Sequence, residues 1–191
     1  MIYIRTGELS VVVLTNARLA LVDGAGKVAE HALAFCASVA AIDATDSLIA
    51  VGADGSDGEC AVCVLTPGGG VAHTLRRHRA AVSALAFSGA LLASACANKE
   101  VVVWDAKAGT PLHVGMQGYH AARISSLHWS ARGELASGGV DGAAIVWDVA
   151  AKKPRLSIKG AHAGGVTAVR FVGNDTLATA ADELTSTHEH A

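Results

Sequence analysis

The 191-residue sequence has no surplus of charge of either sign: fifteen Lys and Arg stand against seventeen Asp and Glu, a formal net charge of −2. Without a strong field of one sign, the chain is not expected to be drawn to nucleic acid or to an anionic membrane. The one basic knot, Arg76, Arg77, His78 and Arg79, is too short to change that and reads as a solvated loop. Long apolar runs are also missing. The longest uncharged apolar stretch, ALAFCASVAAI from Ala32 to Ile42, falls far short of the roughly 20 residues a spanning helix needs. The start, MIYIRTGELSVVVLT, places Arg5 and Glu8 where an export signal would keep its apolar region. A cytoplasmic location is expected. Cysteine is scarce, and Cys36, Cys60, Cys63 and Cys96 read as reduced small hydrophobes rather than a disulfide framework. Asn174-Asp175-Thr176 matches a glycosylation sequon, which without an export signal is a chance match. What remains, 51% hydrophobic and 17% charged residues, suits one soluble domain with a real core, neither disordered nor collagenous.

Internal repetition organises that core. HRAAVSALAFSGALLASACANKEVVVWDAKAG from His78 aligns with HAARISSLHWSARGELASGGVDGAAIVWDVAAK from His120 and with HAGGVTAVRFVGNDTLATAADE from His162. The three histidines stand 42 residues apart, and Trp104 and Trp147 stand 43 apart. A period near 42 falls in the range of propeller blades, each of four short antiparallel strands. Within one unit, RISSLHW reads as a strand buried on both faces, and ELASGG as a second. VDGA then makes a tight hairpin in which Gly142 takes positive φ, AIVWDV is a β-branched third strand, and RLSIK is a rim strand. The many alanines tolerate helix, but turn signals every eight to twelve residues disfavour a bundle.

The rest of the chain follows the pattern less well. Residues 31–77 supply four strands with neither Trp nor Asp in the expected places, and MIYIR, LSVVVL and RLALV look like three strands of a unit lacking its first. GVTAVRF and TLATAA begin a unit that DELTSTHEHA does not continue. The expectation is an all-β propeller of about four blades and seventeen strands, incomplete at both ends. Its units are 1–30 (partial), 31–77, 78–118, 119–160 and 161–183 (partial), with residues 184–191 a tail. Propellers close to remove sheet edges, so the missing blades are expected from a longer chain or, less favoured, from a partner chain.

His120, Ser137 and Asp141 are the side chains of a hydrolase triad. Yet with Trp147 they echo His78, Ser94, Asn98 and Trp104 one period earlier. Catalysis needs a site once per domain and a blade needs its bonds once per blade, so a structural role is expected and no enzyme. His162 and Thr179 begin a third set that has no tryptophan. CAVC (Cys60, Cys63) lacks a second ligand pair and reads as core, while GAGK (Gly24 to Lys27) and PGGG (Pro67 to Gly70) read as turns rather than phosphate cradles. The terminal HEH, His188 to His190, reads as an exposed tail. No cofactor and no metal ligand set is expected.

These recurring His, Ser, Asp and Trp positions, with Trp-Asp at Trp104-Asp105 and Trp147-Asp148, resemble the WD-repeat family. The resemblance implies that an aspartate in the turn after the second strand accepts from the histidine, which meets the serine, which meets the indole. Asn98 would be a weaker, neutral acceptor in that scheme. The run from Tyr119 to Glu183, above all KGAHAGGV (Lys159 to Val166), is similar to the actin-interacting protein 1 family, and the similarity continues upstream in the same order. That resemblance implies a non-enzymatic role with actin and cofilin as partners, disassembly of cofilin-decorated filaments, and a cytoskeletal location. The alternative is a general scaffold holding peptides in a ubiquitin ligase or signalling complex.

Overall fold

The computed structural model describes residues 2–6, 9–14, 17–22, 25–45, 47–173 and 176–182, with side chains from Ala17 onward. The first sheet holds β1 (Ile2–Thr6), β2 (Leu9–Leu14), β3 (Arg18–Val22) and β4 (Val28–Ala32). The second holds β5 (Ala37–Ile42), β6 (Ile49–Ala53), β7 (Val62–Leu65) and β8 (Val71–Leu75). The third is β9 (Val82–Ser88), β10 (Leu91–Cys96), β11 (Val101–Asp105) and β12 (Thr110–Met116); the fourth is β13 (Ile124–Trp129), β14 (Leu135–Gly139), β15 (Ala144–Asp148) and β16 (Lys153–Ile158). A fifth sheet has two strands, β17 (Val166–Val172) and β18 (Thr176–Ala181). Every sheet is an antiparallel meander in chain order, and no helix occurs among the described residues.

Short β-branched runs such as VVVWD in β11 suit this pleated, two-sided burial, and small turn residues between them allow tight reversals. Gly142, at φ 72°, makes the β14–β15 hairpin. The first strands pack in succession, β1 on β5, β5 on β9, β9 on β13 and β13 on β17, so the sheets stack around a common line with the ring left open. The repeat also sets the bonds between sheets. Trp129 Nε1–H donates to Ala86 O (3.0 Å), Phe171 N–H to His128 Nδ1 (3.0 Å) and Val169 N–H to Ser126 Oγ (3.1 Å), each spanning 43 residues. The Ser125 hydroxyl donates to Val166 O in the same seam.

The core is a series of slabs between neighbouring sheets. Leu19 and Leu21 pack with Ile42, Val51 and Leu65; Val62 and Val64 pack with Val82, Leu92, Val102 and Trp104; Val101 and Val103 pack with Ile124, Leu135, Ile145 and Trp147. Alternate residues of one strand thus serve two slabs, as the period-two geometry of a strand requires. The fourth strands, β4, β8, β12 and β16, are largely exposed and form the outer rim.

The first sheet corrects the strand count. Three strands of a unit lacking its first were expected there; instead β1 is the first strand, packed on β5, and VAEHA (β4) supplies the fourth, making eighteen rather than seventeen. As a rim strand it carries Glu30 and His31 and no buried residue, so it lacks the apolar signal that reveals a strand. The strands expected in GVTAVRF and TLATAA correspond to β17 and β18, while the HEH tail and Asn174-Asp175 lie outside the described residues.

Candidate functional site

In the fourth sheet the four sequence-selected residues meet. Ser137 on β14 faces Ile145 on β15 in register, and Trp147, two residues on, shares its face and reaches diagonally across. Trp147 Nε1–H donates to Ser137 Oγ at 2.8 Å. His120, in the loop before β13, places Nε2 2.8 Å from the same oxygen and Nδ1 3.1 Å from Asp141 Oδ1. The Asp141 carboxylate only accepts, so Nδ1 carries the ring proton and Ser137 O–H donates to Nε2. Asp141 also accepts from Ala121 N–H (2.6 Å) and Ala143 N–H (3.2 Å), which ties the loop before β13 to the β14–β15 hairpin. Burial acts to raise the Asp141 carboxyl, but the Ala121, His120 and Ala143 hydrogen bonds hold it below its ordinary value.

The third sheet repeats half of this arrangement. Trp104 Nε1–H donates to Ser94 Oγ at 2.8 Å, and His78 Nε2 lies 2.7 Å from that oxygen. The other half differs from expectation. Asn98 is exposed, and the buried His78 Nδ1 has no hydrogen-bond partner. The cause is two positions before Asn98. A Cβ added at Gly139 of the fourth sheet would lie 2.3 Å from Asp141 Oδ1 and 2.5 Å from His120 Nδ1. Cys96 occupies the matching place in the third sheet, so a carboxamide placed as the Asp141 carboxylate is would collide with its Cβ. Instead, Glu100 Oε2 faces His78 Nδ1 at 3.8 Å, beyond hydrogen-bond length, and Glu100 Oε1 faces Arg77 Nε at 3.8 Å. Burial, with the nearby Arg77 charge, pushes His78 down to about 4.

In the second sheet the polar set is absent and apolar residues fill its positions. Aligning β6 with β14 places Val51 where Ser137 stands and Leu65 where Trp147 stands, while Leu33, four residues before β5 as His120 is before β13, takes the place of the histidine. Val51 and Leu65 are buried in one cluster, and Leu33 packs against it. The sequence shows that Trp and Asp are missing from this unit but not which residues take their places, and Glu100 gives no signal because its counterpart in the fourth sheet is Ala143. In the fifth sheet His162 Nε2 lies 2.8 Å from Thr179 Oγ1 on β18. The Asp105 and Asp148 side chains sit apart from these sets: Asp105 accepts from Lys107 and Ala108 N–H, and Asp148 from Ala151 N–H, closing the turns into the rim strands.

Chemically, the Ser137 set is a closed chain of hydrogen bonds from the indole through the serine and imidazole to the carboxylate. Ser137 is fully buried, its oxygen is engaged by both the indole and the imidazole, and no substrate carbonyl can approach it. The other motifs fall into structural places. Cys63 is buried in β7 and Cys60 precedes that strand, both thiols free. PGGG forms the β7–β8 hairpin, where Thr66 N–H donates to Gly70 O and Gly69 N–H to Thr66 O, so these amides are not offered to a phosphate.

Meander sheets radiating from a shared line and pinned by His-Ser-Trp bonds are the architecture of an open β-propeller, and the chain carries WD repeats within it. The family model for "WD domain, G-beta repeat" matches residues 69–105 and 109–148. The chain is 38% identical over 109 residues to the "66 kDa stress protein" of Physarum polycephalum, covering 56% of this chain and 18% of that protein. It is 36% identical over 115 residues to "Actin-interacting protein 1-2" of Arabidopsis thaliana, covering 57% and 18%. The chain thus spans under a fifth of the length of these relatives. Among solved structures it resembles a chain of the "Mitotic Checkpoint Complex" at TM-score 0.81 and 22% identity, over 91% of this chain and 53% of that one. It also resembles the computationally designed Ika8 protein at TM-score 0.78 and 22% identity, over 94% and 54%. At these identities the structural likeness speaks to the fold alone.

Proposed function

We propose that this chain is part of a non-enzymatic protein-interaction platform that engages actin filaments decorated by cofilin and promotes their disassembly, in the cytoplasm at the cytoskeleton. The observation that carries this reading is the similarity to proteins named for actin interaction, at 36% identity in Arabidopsis thaliana and 32% in Drosophila melanogaster, each over more than half of the chain. The fold suits the role. Stacked sheets pinned internally give a rigid body, which leaves loops and rim strands free to carry partner contacts. Tyr119 and Val140, large apolar residues on loops at the edge of the fourth sheet, are both exposed.

A second reading is a peptide-holding scaffold subunit without an actin partner. It is favoured by relatives of a different kind: "Protein FIZZY-RELATED 1" of Arabidopsis thaliana at 35% identity and "F-box/WD repeat-containing protein sel-10" of Caenorhabditis elegans at 35%. Cosedimentation of the purified chain with actin filaments, with and without bound cofilin, separates the two. The actin reading expects the chain to enter the pellet and to do so more when cofilin is present. A chain that stays in the supernatant under both conditions leaves the scaffold reading standing.

A further inference from the structure

The third sheet departs from the fourth in a way that assembles a new set of donors. His78, Cys96 and Glu100 are all buried, and one ligand atom from each lies within 4.8 Å of the other two. We propose that these three side chains form a binding site for a divalent metal ion of the zinc class, built where the Asp–His half of the blade clasp has been lost.

The buried His78 Nδ1 is a polar atom with no partner, and a native fold rarely leaves such an atom unserved. It faces Glu100 Oε2 at 3.8 Å, too far for a hydrogen bond and the right order for two ligands of one ion. Tetrahedral zinc, with N and O at ~2.0–2.1 Å and S at ~2.3 Å, holds its donors about 3.3–3.6 Å apart. Small side-chain rotations close the difference. The donor set of imidazole, thiolate and carboxylate is that of zinc sites rather than of calcium or magnesium.

The surroundings supply the outer support that such a site needs. A ligating imidazole donates its other N–H to a fixed acceptor. With Nδ1 on the metal, Nε2 carries the proton and donates to Ser94 Oγ at 2.7 Å. Ser94 O–H then turns to Val102 O at 3.5 Å, while the Trp104 indole keeps its bond to Ser94. The clasp and the metal site therefore share the same serine and differ only in the imidazole tautomer. Binding releases the Cys96 thiol proton to solvent, and the thiolate and the Glu100 carboxylate together balance two positive charges. Arg77 pairs with the outer Glu100 oxygen, Oε1, leaving Oε2 for the ion. His78 also lines an open cavity of about 350 Å³ with Glu59, Cys60, Arg76, Arg77 and Arg79.

The sequence hides this site because its donors fall at spacings of 18 and 4 residues, outside any familiar pair motif, and because Cys96 and Glu100 stand in for small residues, Gly139 and Ala143, of the next repeat. The test is titration of the full reduced chain with Co²⁺, followed by Zn²⁺. One equivalent of Co²⁺ is expected to give a thiolate-to-cobalt charge-transfer absorption and the intense visible bands of four-coordinate cobalt, and Zn²⁺ is expected to displace them. Cys96→Ala should abolish the charge-transfer absorption, whereas Cys36→Ala should leave it. Glu100→Gln, which retains the thiol, should weaken Co²⁺ binding at least about tenfold, by comparison with the 10–100-fold cost of losing an outer-sphere partner. Circular dichroism checks that each variant stays folded. A folded wild-type chain that shows no such absorption, or a Cys96→Ala chain that keeps it, overturns the proposal.

Discussion

Replacing Ser137 with alanine removes a single oxygen from a fully buried site and leaves two polar groups facing it. Trp147 Nε1–H and His120 Nε2 each lie 2.8 Å from that oxygen, and both lose their partner. Water does not replace it, since the gap is one atom wide among packed Leu135, Ile145 and Trp147. At about 1–3 kcal/mol for each stranded group, the expected cost is about 2–6 kcal/mol. Domains of this kind hold roughly 5–15 kcal/mol in total, so the loss is large enough to move the whole unfolding curve. Urea unfolding should show a lower midpoint at unchanged slope, the mark of lost stability rather than altered compactness. Ser137→Thr should retain most of the stability, because Thr179 makes the matching bond to His162 at 2.8 Å in the fifth sheet. A Ser137→Ala chain within about 0.5 kcal/mol of wild type, the usual range of an inconsequential surface change, would refute the clasp.

Two further outcomes follow from the same geometry. Lys99 holds φ at 65° where the fourth sheet places Gly142 at 72°, and a side chain in that region is strained by about 1–2 kcal/mol. After the added chain entropy that glycine loses on folding, Lys99→Gly should raise stability by about 0.5–1 kcal/mol in thermal unfolding, and a lower midpoint would contradict the strain. The Asp141 carboxyl is held below 3.8 in the folded chain, so the stability it adds is fully present above 3.8 and is lost as pH falls through its folded value. The stability gap between wild type and Asp141→Asn should therefore narrow in unfolding measured at successively lower pH below 3.8, and a gap that stays constant would place the clasp's support elsewhere.

The parts of the fold that were legible in the sequence are those in which periodicity and chemistry coincide. The 42-residue spacing of His78, His120 and His162 returns as bonds spanning 43 residues between neighbouring sheets, because each unit must bury its face on the next. β11 and β15 could be read from their β-branched runs ending in Trp-Asp. β4 could not, since a rim strand makes its ladder bonds through the backbone and asks little of its side chains. At the site, His120, Ser137, Asp141 and Trp147 are brought together, but Asn98 is not, and the letters at Asn98 and Asp141 do not reveal that a Cβ where Gly139 stands, as Cys96 has in the third sheet, leaves no room for the Asp141 oxygen. Leu33, Val51 and Leu65 teach the complementary lesson: when the histidine, serine and tryptophan of a polar set change together, an apolar set holds the same place with none of them left unpaired.

The most direct measurement of the central claim, that the recurring His, Ser and Trp side chains pin blades and perform no chemistry, is the hydrogen–deuterium exchange of the indole N–H groups followed by nitrogen-15 NMR. Trp104 and Trp147 donate to buried Ser94 and Ser137 oxygens, so their indole protons should exchange only on unfolding. In Ser137→Ala, the Trp147 signal should lose that protection while Trp104 keeps its own. Rapid exchange of both indoles in the folded wild-type chain would contradict the account.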